Sequence, residues 1–307
     1  MGALSFFARS TQSNKRGVMI VSFSMGGTLW KITGRSIDLS QHSLIMGVLN
    51  VTPDSFSDGG EFFTAEKAVE HGARMAAEGA QIIDVGGEST RPGAEPVSAE
   101  DELARVLPVI VKLREKVSAF ISIDTTKAAV ALRALEAGAS IINDVTGGRA
   151  DPEMMMLAAE KKAAFIIMHM QGTPQTMQTN PHYDDVVTEV ADFFRQQYAR
   201  ALECGIDSMA IAFDPGIGFG KTVAHNIELL SNLPRLRVHD RPIVVGVSRK
   251  SSLGEMIGSA EMSDRLAPTI AFTAMLRERG ANVLRVHDVK ENASALRVTE
   301  RLLETAK

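Results

Sequence analysis

From residue 44 onward the chain alternates between short apolar runs rich in Ile and Val and longer stretches of helical periodicity. The apolar runs predict strands at Leu44–Leu49, Gln81–Val85, Phe120–Ile123, Ile141–Asn143, Ala164–Met168, Ala210–Phe213, Ile243–Val247 and Val283–Val286. Between and after them, helices are predicted near 64–79, 98–116, 126–137, 151–162, 184–204, 223–231, 264–279 and 289–305. Thr64 is placed to cap the first helix, and Gly79, Gly138, Gly205 and Gly280 to end four of them. Runs that lack a polar face belong to strands buried on both sides, which means a parallel sheet covered by helices. Eight β/α pairs in about 260 residues, with no linker and no break in rhythm, favour a closed (β/α)8 TIM barrel over a doubly wound open sheet.

Composition narrows the class. The chain has 307 residues, is 45% hydrophobic and carries a net charge of −4 with acids and bases intermixed, so nucleic-acid binding is not its main business. No apolar run reaches the roughly 20 residues of a membrane span. A single cysteine, Cys204, rules out an intrachain disulfide framework and a thiolate-rich metal site, and at a helix end it reads as buried filler. Residues 1–37 differ from the rest: they hold Arg9, Lys15, Arg16, Lys31 and Arg35 and no acid. We read residues 1–30 as a disordered or mis-started basic extension rather than an organellar targeting segment, 31–307 as one domain, and the protein as cytoplasmic.

The strand ends carry the chemistry. In order they read Asn50, Asp84-Val-Gly-Gly-Glu-Ser-Thr-Arg-Pro-Gly93, Asp124-Thr-Thr126, Asn143-Asp144, Met168-His-Met170, Asp214-Pro-Gly-Ile-Gly-Phe-Gly-Lys221, Ser248-Arg-Lys250 and Arg285-Val-His-Asp288. Any one of these could cap the following helix. Eight in succession, all at the end where barrels place their active sites, make a ligand site. Asp84, Asp124, Asp214 and Asn143 are acceptors for a flat heterocycle that displays several N–H donors, because a carboxylate accepting paired N–H bonds is a strong, orienting contact. Lys250 supplies a donor, and Met168 a soft surface for a ring face. Arg91, Arg285 and His287 suit a phosphate or diphosphate. Asn50 can offer Mg²⁺ one oxygen, since that ion keeps its waters and takes other ligands from substrate phosphate. The run Gly216-Ile-Gly-Phe-Gly-Lys-Thr222 imitates a phosphate-binding loop, but Pro215 stands where the first glycine is required.

The motifs NVTPDSFSDGG (Asn50–Gly60), DVGGESTRPG (Asp84–Gly93), DPGIGFGK (Asp214–Lys221), SRK (Ser248–Lys250) and RVHDV (Arg285–Val289) resemble the dihydropteroate synthase family, in order, from about Leu44 to the C-terminus. The resemblance implies a TIM barrel, usually dimeric. The implied reaction joins (7,8-dihydropterin-6-yl)methyl diphosphate to p-aminobenzoate in folate synthesis, and the implied inhibitors are sulfonamides. It implies Asn50 as the Mg²⁺ ligand, and Asp84, Asp124, Asn143, Met168, Asp214 and Lys250 around the pterin. Thr90, Arg91, Arg285 and His287, with Asn50, fall around the diphosphate. Phe56, Thr90, Pro92, Phe219, Lys250 and Ser251 fall around p-aminobenzoate. Asp124, Lys250 and Arg91 are the expected catalytic residues.

The chemistry agrees with a loose, SN1-like displacement, with cations neutralising the leaving diphosphate and Asp124 near the developing methylene cation. No strong general base is required, because an arylamine is already neutral at pH 7. Loops 51–63 and 87–97 are expected to close over the site. Pro268 should start or kink its helix. Two alternatives are a methyl-transferring pterin barrel, which has no use for Thr90-Arg91-Pro92 or Ser248-Arg-Lys250, and a non-catalytic paralogue, which would have lost one of these motifs.

Overall fold

The computed structural model describes residues 28–52, 61–90 and 93–305. A two-stranded antiparallel hairpin comes first, β1 (Leu29–Ile32) and β2 (Arg35–Asp38). The barrel strands are β3 (Leu44–Asn50), β4 (Ile82–Gly86), β5 (Phe120–Asp124), β6 (Ile141–Asp144), β7 (Ala164–Met168), β8 (Ile211–Asp214), β9 (Val244–Gly246) and β10 (Val283–Val286). Their order is β8-β7-β6-β5-β4-β3-β10-β9, and a parallel bridge between Phe213 and Ile243 joins β8 to β9 and closes the ring. The helices are α1 (Glu61–Glu78), α2 (Ala99–Lys116), α3 (Ala128–Glu136), α4 (Met154–Glu160), α5 (Val186–Glu203), α6 (Val223–Ser231), α7 (Ser251–Ile257), α8 (Leu266–Glu278) and α9 (Val289–Thr305). The eight expected strands and the barrel are all present.

Alternation along each strand builds two cores from one sheet. Outward residues such as Ile45, Leu49, Ile83, Val85, Ile121, Ile123, Phe165 and Phe213 pack under the helices. Leu44, Met46, Ile82, Ile141, Ala164, Ile166, Ala212, Val244 and Val283 form a second cluster inside the barrel, with Trp30, Ile32 and Leu39 of the hairpin segment joining it from below. Trp30 is completely buried and donates its indole N–H to the Ala210 carbonyl at 3.0 Å. The hairpin is therefore the plug of the barrel floor. It moves the expected domain boundary: Leu29 and Trp30 belong to the domain, not to a 1–30 extension, and residues 1–27 lie outside the described residues.

Other departures are local. α1 begins at Glu61, so Thr64 lies within the helix rather than capping it. α7 was not expected. Pro268 sits in the first turn of α8, where its missing N–H costs no helical bond. Cys204 caps the end of α5, half-buried against the core. Gly79, Gly138, Gly205 and Gly280 all take positive φ just past helix ends, as expected.

Candidate active site

Stepping two residues up six of the strands from the buried inner layer, apolar except for Ser122, converts the floor into the site. Ile82 leads to Asp84, Ser122 to Asp124, Ile141 to Asn143, Ile166 to Met168, Ala212 to Asp214 and Val283 to Arg285. Each of these side chains shares its strand face with a barrel-filling residue. The barrel lays neighbours side by side, pairing Asp124 with Asn143 and Met168 with Asp214.

Arg285 sits at the centre. Its Nε donates to Asp84 Oδ2 at 2.7 Å and its Nη2 to Asp124 Oδ2 at 2.8 Å, while Asn143 Nδ2 also donates to Asp84 Oδ2 at 3.0 Å. The Arg285 side chain keeps 22% of its surface exposed, against none for Asp84 and 10% for Asp124. Burial alone would weaken its charge, but Asp84 and Asp124 outweigh that and hold its pKa above the ordinary guanidinium value. Burial pushes Asp124 up to about 7; Arg285 opposes the shift and Asp84 reinforces it. Asp84 Oδ1 and Asp124 Oδ1 are buried acceptors with no hydrogen-bond partner. Buried acceptors of this kind call for donors, and a ring with several N–H groups provides them.

On the opposite side of the mouth, burial raises Asp214, against the pull of Lys250; Asp214 Oδ1 accepts from the Gly216 amide at 2.7 Å. Lys250 donates to the Ile217 carbonyl and stands 4.5 Å above the centre of the Phe219 ring. Burial brings Lys250 down to about 8, with Asp214 opposing. Met168 packs with Val145, Met170, Met177 and Phe219, an apolar wall beside these charges. His287 closes on Ser248, its amide and Nδ1 lying 3.2 and 3.1 Å from the hydroxyl oxygen. Asn50 and Thr90 are half-buried at the rim, and Ser251 opens α7 in an exposed position. Phe56, Arg91 and Pro92 lie outside the described residues.

The structure therefore brings Asp84, Asp124, Asn143, Met168, Asp214, Lys250 and Arg285 into one cleft. It also supplies residues the sequence reading missed. Lys127, three residues beyond Asp124, bridges Glu88 at 2.5 Å and Glu102 at 2.6 Å, tying the loop that follows β4 to the end of β5. The available signal was Glu102, a charge on the buried stripe it shares with Val106, Val109 and Leu113.

These features define a barrel protein whose C-terminal mouth accepts a flat, N–H-rich ring. The chain matches the pterin binding enzyme family over residues 46–287. It is 46% identical to a dihydropteroate synthase of Escherichia coli (strain K12) over 270 residues, covering 88% of this chain and 95% of that one. A solved Xanthomonas albilineans dihydropteroate synthase with 4-aminobenzoic acid superposes with a TM-score of 0.84 at 43% identity, covering 91% of this chain and 99% of the other. A Yersinia pestis dihydropteroate synthase with a sulfonamide drug complex gives a TM-score of 0.84 at 41% identity, covering 90% and 100%. The chain belongs to the pterin-binding enzymes and, among them, to the dihydropteroate synthase family.

Proposed function

We propose that the protein condenses (7,8-dihydropterin-6-yl)methyl diphosphate with p-aminobenzoate, giving 7,8-dihydropteroate and diphosphate, and that sulfonamides compete for the p-aminobenzoate position. The observation that carries this reading is the cluster of Asp84, Asp124, Asn143, Asp214, Lys250 and Arg285 at one barrel mouth. Asp84, Asp124 and Asp214 accept from the pterin N–H groups, Lys250 donates to a ring acceptor, and Met168 covers a ring face. Thr90, Arg91, Arg285 and His287 receive the diphosphate, which competes with Asp84 and Asp124 for Arg285. Phe56, Pro92, Phe219 and Ser251 enclose the arylamine.

In the reaction the bond between the pterin methylene carbon and the diphosphate oxygen breaks. The arylamine nitrogen forms the new C–N bond and loses its proton to solvent. Asp124 lies where positive charge develops on the methylene carbon, and the cations lie where negative charge leaves. Pre-aimed groups of this kind are each worth roughly 2.7–4 kcal/mol.

No group of three or more His, Cys, Asp or Glu side chains among the described residues could hold a metal. Asn50 at the end of β3 contributes one hard oxygen. That donor set fits Mg²⁺ that keeps its waters and arrives on the diphosphate, and does not fit zinc. Bound there, Mg²⁺ would neutralise the leaving group.

A homodimer is part of the same reading. Ile257, Met262, Leu266 and Met275 are large apolar side chains exposed along α7, α8 and the segment between them, a face suited to a second copy. A cytoplasmic site of action rests on a chain with one cysteine and so no disulfide framework. Incubation of the pure protein with Mg²⁺, the pterin diphosphate and p-aminobenzoate tests the activity. Dihydropteroate and diphosphate should appear together, and no product at micromolar enzyme refutes it.

A further inference from the structure

The glycine-rich run that imitates a phosphate-binding loop has a different occupant. Lys221 closes it, yet its side chain turns back beneath the loop and is 3% exposed. Its Nζ donates to the carbonyls of Gly216 and Phe219, both at 3.0 Å, and of His169 at 3.3 Å, and lies 3.0 Å from His169 Nδ1. Burial, and then the charge of Lys250, bring Lys221 well below the ordinary lysine value, with Asp214 opposing. The carbonyls crowded around Nζ favour the ammonium, whose three N–H groups are shared among four acceptors, Nδ1 included. That requires a neutral imidazole, and burial, followed by the charge of Lys221, takes His169 down to about 2. No carboxylate among the described residues lies within ion-pair distance of this lysine.

Gly216, Gly218 and Gly220 alternate at φ 63°, 82° and 64°. A Cβ on Gly216 would fall 1.9 Å from the His169 carbonyl oxygen, and one on Gly220 2.5 Å from that of Gln171. Side chains accept the amides of Gly216 and Gly218, at Asp214 and Asn226, so these amides do not gather around an anion. Instead, every carbonyl from 216 to 220 receives a side-chain donor. Lys221 serves Gly216 and Phe219, Lys250 serves Ile217, Gln178 serves Gly218 and Tyr183 serves Gly220. The loop is thus wound around a cation, with one lysine beneath it and the site lysine above it.

We propose that Lys221 is a positioning residue, a tethered cation whose carbonyl cage sets the Phe219 ring and the Ile217 carbonyl against Lys250, and thereby shapes the arylamine side of the cleft. The proposal rests on the synthase reading for the identity of that second substrate. Asp84, Asp124 and Asn143 on the pterin side come from β4, β5 and β6 and do not depend on this loop. Asp214 and Lys250, by contrast, touch it through the Gly216 amide and the Ile217 carbonyl, and on the arylamine side Phe219 belongs to it. The two substrates should therefore respond differently to its loss.

The test compares wild type with Lys221→Met, similar in length but without charge or donor. In the variant, KM for p-aminobenzoate should rise at least tenfold, and KM for the pterin diphosphate, held also by Asp84, Asp124 and Asn143, by a factor at least three times smaller. Hydrogen exchange of the ligand-free protein should show residues 216–221 exchanging at least tenfold faster, with β3 to β6 unchanged. Ammonium chloride should recover p-aminobenzoate KM in Lys221→Ala, and tetramethylammonium chloride at equal ionic strength should not. Should Lys221→Met fail to fold, Lys221→Gln, uncharged but with an N–H₂ donor, takes its place in the same comparisons. A folded variant with both KM values unchanged overturns the proposal, as do parallel rises in both, unaltered exchange, or no ammonium recovery. If wild type makes no dihydropteroate, the synthase reading fails, and the exchange comparison still decides whether Lys221 holds the loop.

Discussion

Replacing Asp124 with Asn should make the ligand-free protein more stable, and increasingly so as pH rises. Asp124 is a carboxylate that the fold holds against its solvation preference: burial takes its pKa from 3.8 to about 7, even with Arg285 beside it. Between those two values the folded protein keeps a proton that the unfolded chain releases, so stability falls as pH increases through that window and levels off above 7. Each pH unit inside the window is worth about 1.4 kcal/mol, which makes the whole shift roughly 4 kcal/mol and the change from pH 5 to pH 8 about 2–3 kcal/mol. The amide introduced by Asp124→Asn has nothing to titrate. The difference in unfolding free energy between the two proteins should therefore widen by about 2–3 kcal/mol from pH 5 to pH 8, because the other groups are common to both. Urea unfolding at matched m-values measures the difference, and the ¹³C shift of the Asp124 carboxyl gives its midpoint directly. A difference that stays flat within about 0.5 kcal/mol, or a carboxyl midpoint below about 5, refutes the reasoning. Turnover of the variant should fall, since the proposed reaction sets the same carboxylate against the reacting carbon.

Two other substitutions separate chemistry from architecture. Lys250→Ala should leave the fold and far-ultraviolet dichroism intact while cutting kcat roughly 100- to 1,000-fold; a variant with normal turnover removes Lys250 from the site. Trp30→Ala opens a void in the barrel floor and should cost about 3–5 kcal/mol in denaturant unfolding, with activity per folded molecule retained. Loss of activity without loss of stability would show that the floor does more than support the site.

The barrel was legible because strands buried on both faces leave no polar stripe, and the glycines past the helix ends mark each return to the sheet. The site was legible for a related reason. Asp84 within β4, and Asp124 and Asp214 at the ends of β5 and β8, stand on strands made almost wholly of core-filling residues, so the cost of burying them demands an explanation. The hairpin escaped notice because Arg35-Ser-Ile-Asp38 is short and mostly exposed, and its value lies in contacts with strands far along the chain. α7, Ser-Ser-Leu-Gly-Glu-Met-Ile, has too few turns to display a period. The embrace of Asp84 and Asp124 by Arg285 spans separations of 201 and 161 residues and exists only once the ring has closed. Lys221 drew attention only as the end of a motif that fails as a phosphate loop at Pro215; what it does instead depends on the direction of the carbonyls, which no residue pattern encodes.

The plugged floor has a consequence for traffic. With Trp30, Ile32 and Leu39 sealing one end of the barrel, two substrates and two products must pass through a single doorway. On the proposed assignment, with the pterin on the buried carboxylates and the arylamine toward the rim, the pterin has to enter before the arylamine can take its place above it. The finished pteroate in turn blocks the entrance for the next pterin until it leaves. With that assignment, a sealed floor turns the catalytic cycle into a queue.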